Sequence, residues 1–177
     1  MACLQTFRGD TRWGCGSGAG GGALGKYTEA ILINASDIDS FAVKDGRVTL
    51  VLTSGRKGSV LEVVNNSLKV SVARKGGDIY PIMYDPSVIM KMPHLFPSMK
   101  DGAANEFVNA SFVIALKGSN GYTIIGLGAP LVCTEIEGDS TTSEFLTVTF
   151  GTDEGQTGST IYAMLKATYE ALKVPAE

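Results

Sequence analysis

The chain has 177 residues, with 15 Lys and Arg against 18 Asp and Glu, one His, and a net charge of -3. That length supports one domain burying about two-thirds of its unfolded surface without disulfides or metal. The acidic balance argues against a basic domain that wraps nucleic acid, and one His with three scattered Cys leaves little material for catalysis.

Residues 1–26 read as an arm. Gly16 to Gly22 is almost all glycine and cannot repay the entropy of ordering by itself. Phe7, Trp13 and Leu24 flank it and give the arm something to dock, on its own domain or on a neighbour. Met1 to Gly22 has no apolar core of a secretory signal, and Cys3, Cys15 and Cys133 lack CxxC spacing. The expectation is synthesis in a reducing cytoplasm, with no membrane span. The Asn-x-Ser triplets at Asn34, Asn65 and Asn109 are then chance matches.

From Thr28 the pattern is one of short strands. Ala30 to Ile33 is an apolar run. Ser40 to Lys44 and Arg47 to Thr53 flank Asp45-Gly46, which supplies the positive φ angles of a two-residue hairpin. Ser59 to Val64 and Ser67 to Val72 flank Asn65-Asn66 and predict a second hairpin. In that second strand Leu68, Val70 and Val72 alternate with Ser67, Lys69 and Ser71, so one face should be buried and one wet. Asp78 to Tyr84 reads as a strand that Pro81 confines to an edge, followed by a Met-rich stretch from Met83 to Met99 punctuated by prolines. Ser98 to Asn109 predicts an internal helix.

Phe112 to Lys117 and Tyr122 to Ile125 flank Ser119-Asn120-Gly121, another Asn-Gly hairpin signal. Leu131 to Ile136 and Glu144 to Phe150 complete the strands. Gly151 to Gly158 reads as a linker to an amphipathic helix over Ser159–Lys173, with Ile161, Met164, Leu165, Thr168 and Leu172 on one stripe. That stripe must cover its own sheet or a neighbour's, and its own is the usual choice. The expected class is mainly β (α+β): an antiparallel β-sandwich or barrel with one internal helix and a C-terminal amphipathic helix. The divisions are a flexible arm over 1–26, the sandwich or barrel over 27–150, and the linker with its helix over 151–177.

Motifs with chemical potential lack their context. Gly20 to Lys26 resembles a phosphate-binding loop, but Tyr27 stands where Ser or Thr must hold magnesium, and no apolar strand precedes it. Gly16-x-Gly18-x-x-Gly21 matches a dinucleotide fingerprint only because the tract is glycine-rich. His94 has no second His and no nucleophile elbow to serve. Ser54-x-x-Lys57 has the spacing of a Ser-Lys pair but sits in a turn. Asp37-Ile38-Asp39 and Asp153-Glu154 do not fit a calcium loop. Met83, Met90, Met92 and Met99 read as core filling before a pliable binding surface. No catalytic, cofactor-binding or metal-binding residue is assigned, and the chain is not read as an enzyme.

What remains is architectural: a hairpin-rich body, an arm and a tethered helix. A strand-rich subunit must hide its edges, and arms can reach a neighbour. The order of elements resembles that of small virion structural proteins of tailed bacteriophages, in the tail-tube and head-to-tail connector group. The segments that carry this are Tyr27 to Asn34 with Asp37-Ile38, the Asp45-Gly46 hairpin, Phe112 to Leu116 with Asn120-Gly121-Tyr122, and Thr147 to Phe150. The likeness spans residues 27–150 as a pattern of elements and rests on no invariant motif. The tethered C-terminal helix departs from its simplest form. The resemblance implies a homo-oligomeric ring, hexameric by preference, stacked into a tail tube or DNA conduit. It implies other tail or neck proteins as partners, transient passage of DNA, no membrane partner, no cofactor, and a place in the virion. A neck or connector ring, a head-decoration protein, and an adhesin-like β-sandwich binding module stand as alternatives.

Overall fold

Two apolar runs place their side chains on both faces of a strand, and the architecture follows from burying all of them. Ala30 to Ile33 and Phe112 to Leu116 are buried at every position, as strands covered on both sides must be. The computed structural model describes residues 27–61, 63–64, 66–75, 83–93, 107, 109–138, 145–153 and 161–173. In chain order these form β1 (Tyr27–Asn34), a 3-10 turn (Ala35–Asp37), β2 (Ile38–Lys44), β3 (Arg47–Leu52), β4 (Ser59–Leu61), β5 (Lys69–Lys75) and β6 (Met83–Pro93). Then come β7 (Ser111–Gly118), β8 (Gly121–Ile125), β9 (Leu131–Gly138), β10 (Phe145–Thr152), β11 (Ile161–Met164) and α1 (Lys166–Ala171).

β7 is the branch point. Along one edge it pairs with β1 over nearly its full length, and β1 pairs onward with β4. On its other edge Ile114 to Gly118 pair with β8, while Ser111 and Phe112 pair with β9. Two wings leave from there, β8-β11-β3-β2 and β9-β10-β6-β5. The sheet is therefore mixed and open rather than a closed barrel, with a sandwich-like body. Its single parallel strand pair among the described residues is β11 with β3.

The two wings enclose separate cores on the two faces of the β1–β7 ladder. Ala30, Leu32, Phe112, Ile114 and Leu116 meet Val88, Met90 and Met92 of β6 and Val148 and Phe150 of β10. Phe107, Phe112 and Phe150 pack edge to face there, with centroids 5.7–6.1 Å apart. On the other face Ile31, Ile33, Val113 and Ala115 meet Val48 and Leu50 of β3, Met164 of β11, and Tyr169 and Leu172. β3 lies four places from β1 in the strand order, so this wing has to curl to reach it.

The hairpins with Asp-Gly and Asn-Gly turns form as expected. Asp45 and Gly46 have φ of 52° and 72°, the paired positive values of a type I′ turn. Gly58 is glycine for another reason: a Cβ there would collide with the side chains of Ile31 and Ile33.

Three expectations are corrected. The strands flanking Asn65-Asn66 do not pair with each other; β4 pairs with β1, and β5 pairs with β6. The chain still turns at Asn66, with φ of 62°, but Val64 and Ser67 bond to Lys91, which sets the turn beside the last residues of β6. The proline-punctuated stretch is partly a strand, since β6 runs 11 residues through Pro86. Pro86 is tolerated because pairing with β10 begins only at Val88. Finally, the C-terminal helix starts at Lys166, not Ser159, and Gly151 and Thr152 belong to β10. Ile161 to Met164 form a strand between β3 and β8. Burial along β5 fades from Leu68 to Val72, which is 39% exposed.

The arm, residues 154–160, and almost all of the internal helix over Ser98–Asn109 lie outside the described residues. Of that helix, Phe107 is described and is buried in the core. Truncating Phe150, which touches both other rings, should cost about 3–5 kcal/mol of stability by chemical denaturation. Leu165 is 48% exposed, so Leu165→Asp should change the melting temperature little.

Candidate assembly surface

Interacting titratable side chains gather where α1 meets β1. The Tyr169 ring is fully buried, and its hydroxyl donates to Glu29 Oε1 at 2.8 Å. Lys173 Nζ lies 2.7 Å from the same oxygen and 3.0 Å from Glu170 Oε2. That ammonium also stands 5.2 Å from the Tyr169 ring centroid, and the Tyr122 ring packs at 4.7 Å. Backbone bonds extend the attachment: Gly58 N donates to the Leu172 carbonyl, and Lys57 Nζ donates to the Ala171 carbonyl at 2.7 Å. The cluster latches the C-terminal segment onto β1.

The electrostatics fit a latch rather than proton transfer. Partial burial works against ionisation of Glu29, but hydrogen bonds from Lys173 and Tyr169, with the charges of Lys173 and Lys117, outweigh it and hold its pKa below the ordinary value. Burial first, then the Glu29 carboxylate, pushes the Tyr169 phenol far above its usual range, so it stays a donor. The hydrogen bond to Glu29 raises Lys173. A depressed carboxylate contributes stability that is present above its unfolded pKa and lost as pH falls through the folded one. A raised lysine contributes stability that is lost as pH rises through its folded value. Acid titration of the melting temperature should therefore show a loss below pH 4.5 that Glu29→Gln reduces. Tyr169→Phe, which strips one bond from a charged acceptor, should cost about 1.5–3 kcal/mol at neutral pH.

Among the described residues, those singled out for chemistry are not brought together. Lys57, the candidate partner of Ser54, holds the helix carbonyl. Asp37 accepts from Asn34 Nδ2 at 3.1 Å and faces Arg56 at 3.6 Å, which secures the turn between β1 and β2. Met90 and Met92 fill the core. Cys133 is half-buried, its thiol raised by that burial. Cys3, Cys15, Gly16 to Lys26, Asn65, His94, Met99 and Glu154 lie outside the described residues, as does the side chain of Met83. No group of three metal-ligating side chains occurs among the described residues, and none of their helices is long and apolar enough to cross a membrane.

What the surface does present is unpaired strand edge. β2 and β5 end the two wings, and among the described residues neither has a partner on its outer side. On β2, Phe41 and Val43 stand opposite the buried Leu50 and Val48, yet each is 44% exposed. The apolar face of that wing thus overhangs its own core. Among the described residues β9 has a third open edge, since only Leu131 and Val132 on its outer side pair with β7. Sequence reasoning missed these edges because they depend on strand order. Set against known proteins, the chain matches no family model, no curated protein and no solved structure.

Proposed function

We propose that this chain is a structural virion protein of a tailed phage that self-assembles into rings, which form the tail tube or a DNA conduit. The observation that carries self-assembly is the overhanging β2 edge. Unpaired backbone groups beside exposed Phe41 and Val43 form a template for another chain unless they are covered. Open edges on β2, β5 and β9 also give one subunit more than one place to join others, as a closed ring or a stack requires. The titratable cluster at Glu29 supports the same reading, since its groups are spent on holding the C-terminal segment. The phage assignment itself rests on the order of elements along residues 27–150.

Light scattering and negative-stain imaging of the purified chain test this directly. Rings or tubes are expected at tens of micromolar, and a monomer throughout that range overturns the reading. Phe41→Ser with Val43→Ser should leave the cooperative melt in place and raise the concentration needed for assembly, because nearly half of each residue is already in water in the monomer.

A further inference from the structure

β2 offers its outer side over one regular stretch, and its hairpin with β3 fixes which backbone groups point there. Asp45-Gly46 is a two-residue turn, so Lys44 and Arg47 on either side of it form a hydrogen-bonded pair. Bonded pairs then alternate along the ladder, falling on Ala42 with Thr49 and on Ser40 with Val51. The N–H and C=O groups of Phe41 and Val43 therefore face away from β3. Among the described residues β2 has no partner on that side. Side chains alternate as well: Phe41 and Val43 stand on the core face, and Ser40, Ala42 and Lys44 stand exposed on the other.

We infer that β2 pairs antiparallel with β2 of a second copy, across a two-fold axis at Ala42. This rests on the self-assembly reading above and names the partner of the β2 edge. A two-fold contact closes on two copies, so a ring or stack draws on a further edge as well.

Backbone bonding selects the register. With Ala42 opposite its own counterpart, Phe41 lies opposite Val43 of the second copy, and symmetry repeats the pair. Each such pair exchanges both of its bonds, so every outward group of Phe41 and Val43 is satisfied in both copies. A slip of two residues sets part of that group against Asp39, in the strand's irregular start, or against Asp45 in the turn.

Side chains and charge agree with that register. Leu50 and Phe41 run on into Val43 and Val48 of the second copy, an apolar row in which an aromatic ring meets a β-branched neighbour. On the opposite face the small Ala42 side chain meets its own counterpart, where Cα atoms of an unbonded pair approach to about 4.5 Å. β2 carries an acid near its start, Asp39, and a base at its end, Lys44. Antiparallel pairing sets Lys44 opposite Ser40 and beside Asp39 of the second copy, at both ends of the contact. Ser40 to Lys44 is far shorter than the roughly 20–30 residues a side of a standard interface, so the pair is weak and depends on concentration.

Two tests on the full chain read the axis. Ala42→Cys should give a disulfide-linked dimer with oxidised glutathione at tens of micromolar, because Cα atoms about 4.5 Å apart are within disulfide reach. Peptide mapping should place the bond at position 42 of both copies rather than at Cys3, Cys15 or Cys133. Ser40→Cys, about 14 Å from its own counterpart, should stay unlinked alone and link when mixed with Lys44→Cys. The second test uses charge at the axis. Ala42 is exposed, so Ala42→Lys and Ala42→Glu should each melt as the native chain does. Each alone should raise the dimer dissociation constant about two- to fivefold, and an equal mixture should return it to near the native value.

Rings or tubes that form with no bond at position 42 overturn this pairing and leave the proposed function standing. Charge variants that stay weak when mixed overturn it too. A dimer linked at position 42 that builds no ring or tube keeps the pairing and removes the ring reading. A chain that is monomeric throughout removes both.

Discussion

The ladder between β1 and β7 is the constraint on which the rest of the structure depends. Its strands present large apolar side chains on both faces, so neither can lie at the surface of a two-layer sheet. Each face needs its own cover. The cover on one face is the β9-β10-β6 layer with Phe150; on the other it is the curled β3 wing with Tyr169 and Leu172. Burying a Val, Leu, Ile or Phe side chain is worth about 1.5–3 kcal/mol, so leaving open a face that carries three or four such residues would cost about as much as the net stability of an ordinary domain.

The C-terminal segment is where this demand meets polar chemistry. A helix of six residues has little intrinsic stability, and α1 has no side-chain hydrogen bond at its start. It stays in place because Tyr169 enters the second core while its hydroxyl reaches Glu29 on the edge of β1. Gly58 permits the close approach by having no side chain between Ile31, Ile33 and the backbone of Leu172. The latch thus couples burial of an aromatic ring to a fully partnered carboxylate, and the one would be costly without the other.

Local signals in the sequence were legible where local physics decides. Asp45-Gly46 makes its hairpin because a type I′ turn needs positive φ at both central residues, which aspartate and glycine adopt at little cost. In the β7–β8 hairpin the positive φ falls instead on Gly121, the residue after the Ser119-Asn120 turn. The Ile161–Met164 segment was not legible. Its apolar spacing suits a helix or a strand equally over so short a run, and its pairing with β3 is a contact between distant parts of the chain. Asn65-Asn66 misled for the opposite reason: the turn exists, but β1 had an edge to fill and took β4. Tyr169 escaped the helical stripe because that stripe was drawn through Ile161 and Met164, which lie on a strand.

Open edges are a hazard unless something restricts what may join them. The β2 edge carries a register irregularity between Ile38 and Ser40, which twists a strand and discourages indiscriminate pairing. The β9 edge carries one too, beside Glu135, where its register with β10 shifts between Thr149 and Phe150, and its start at Leu131 and Val132 is already held by β7. These irregularities limit where a further strand can add, while the apolar overhang at Phe41 and Val43 supplies the attraction that makes the β2 edge the place where a second chain gains most by docking.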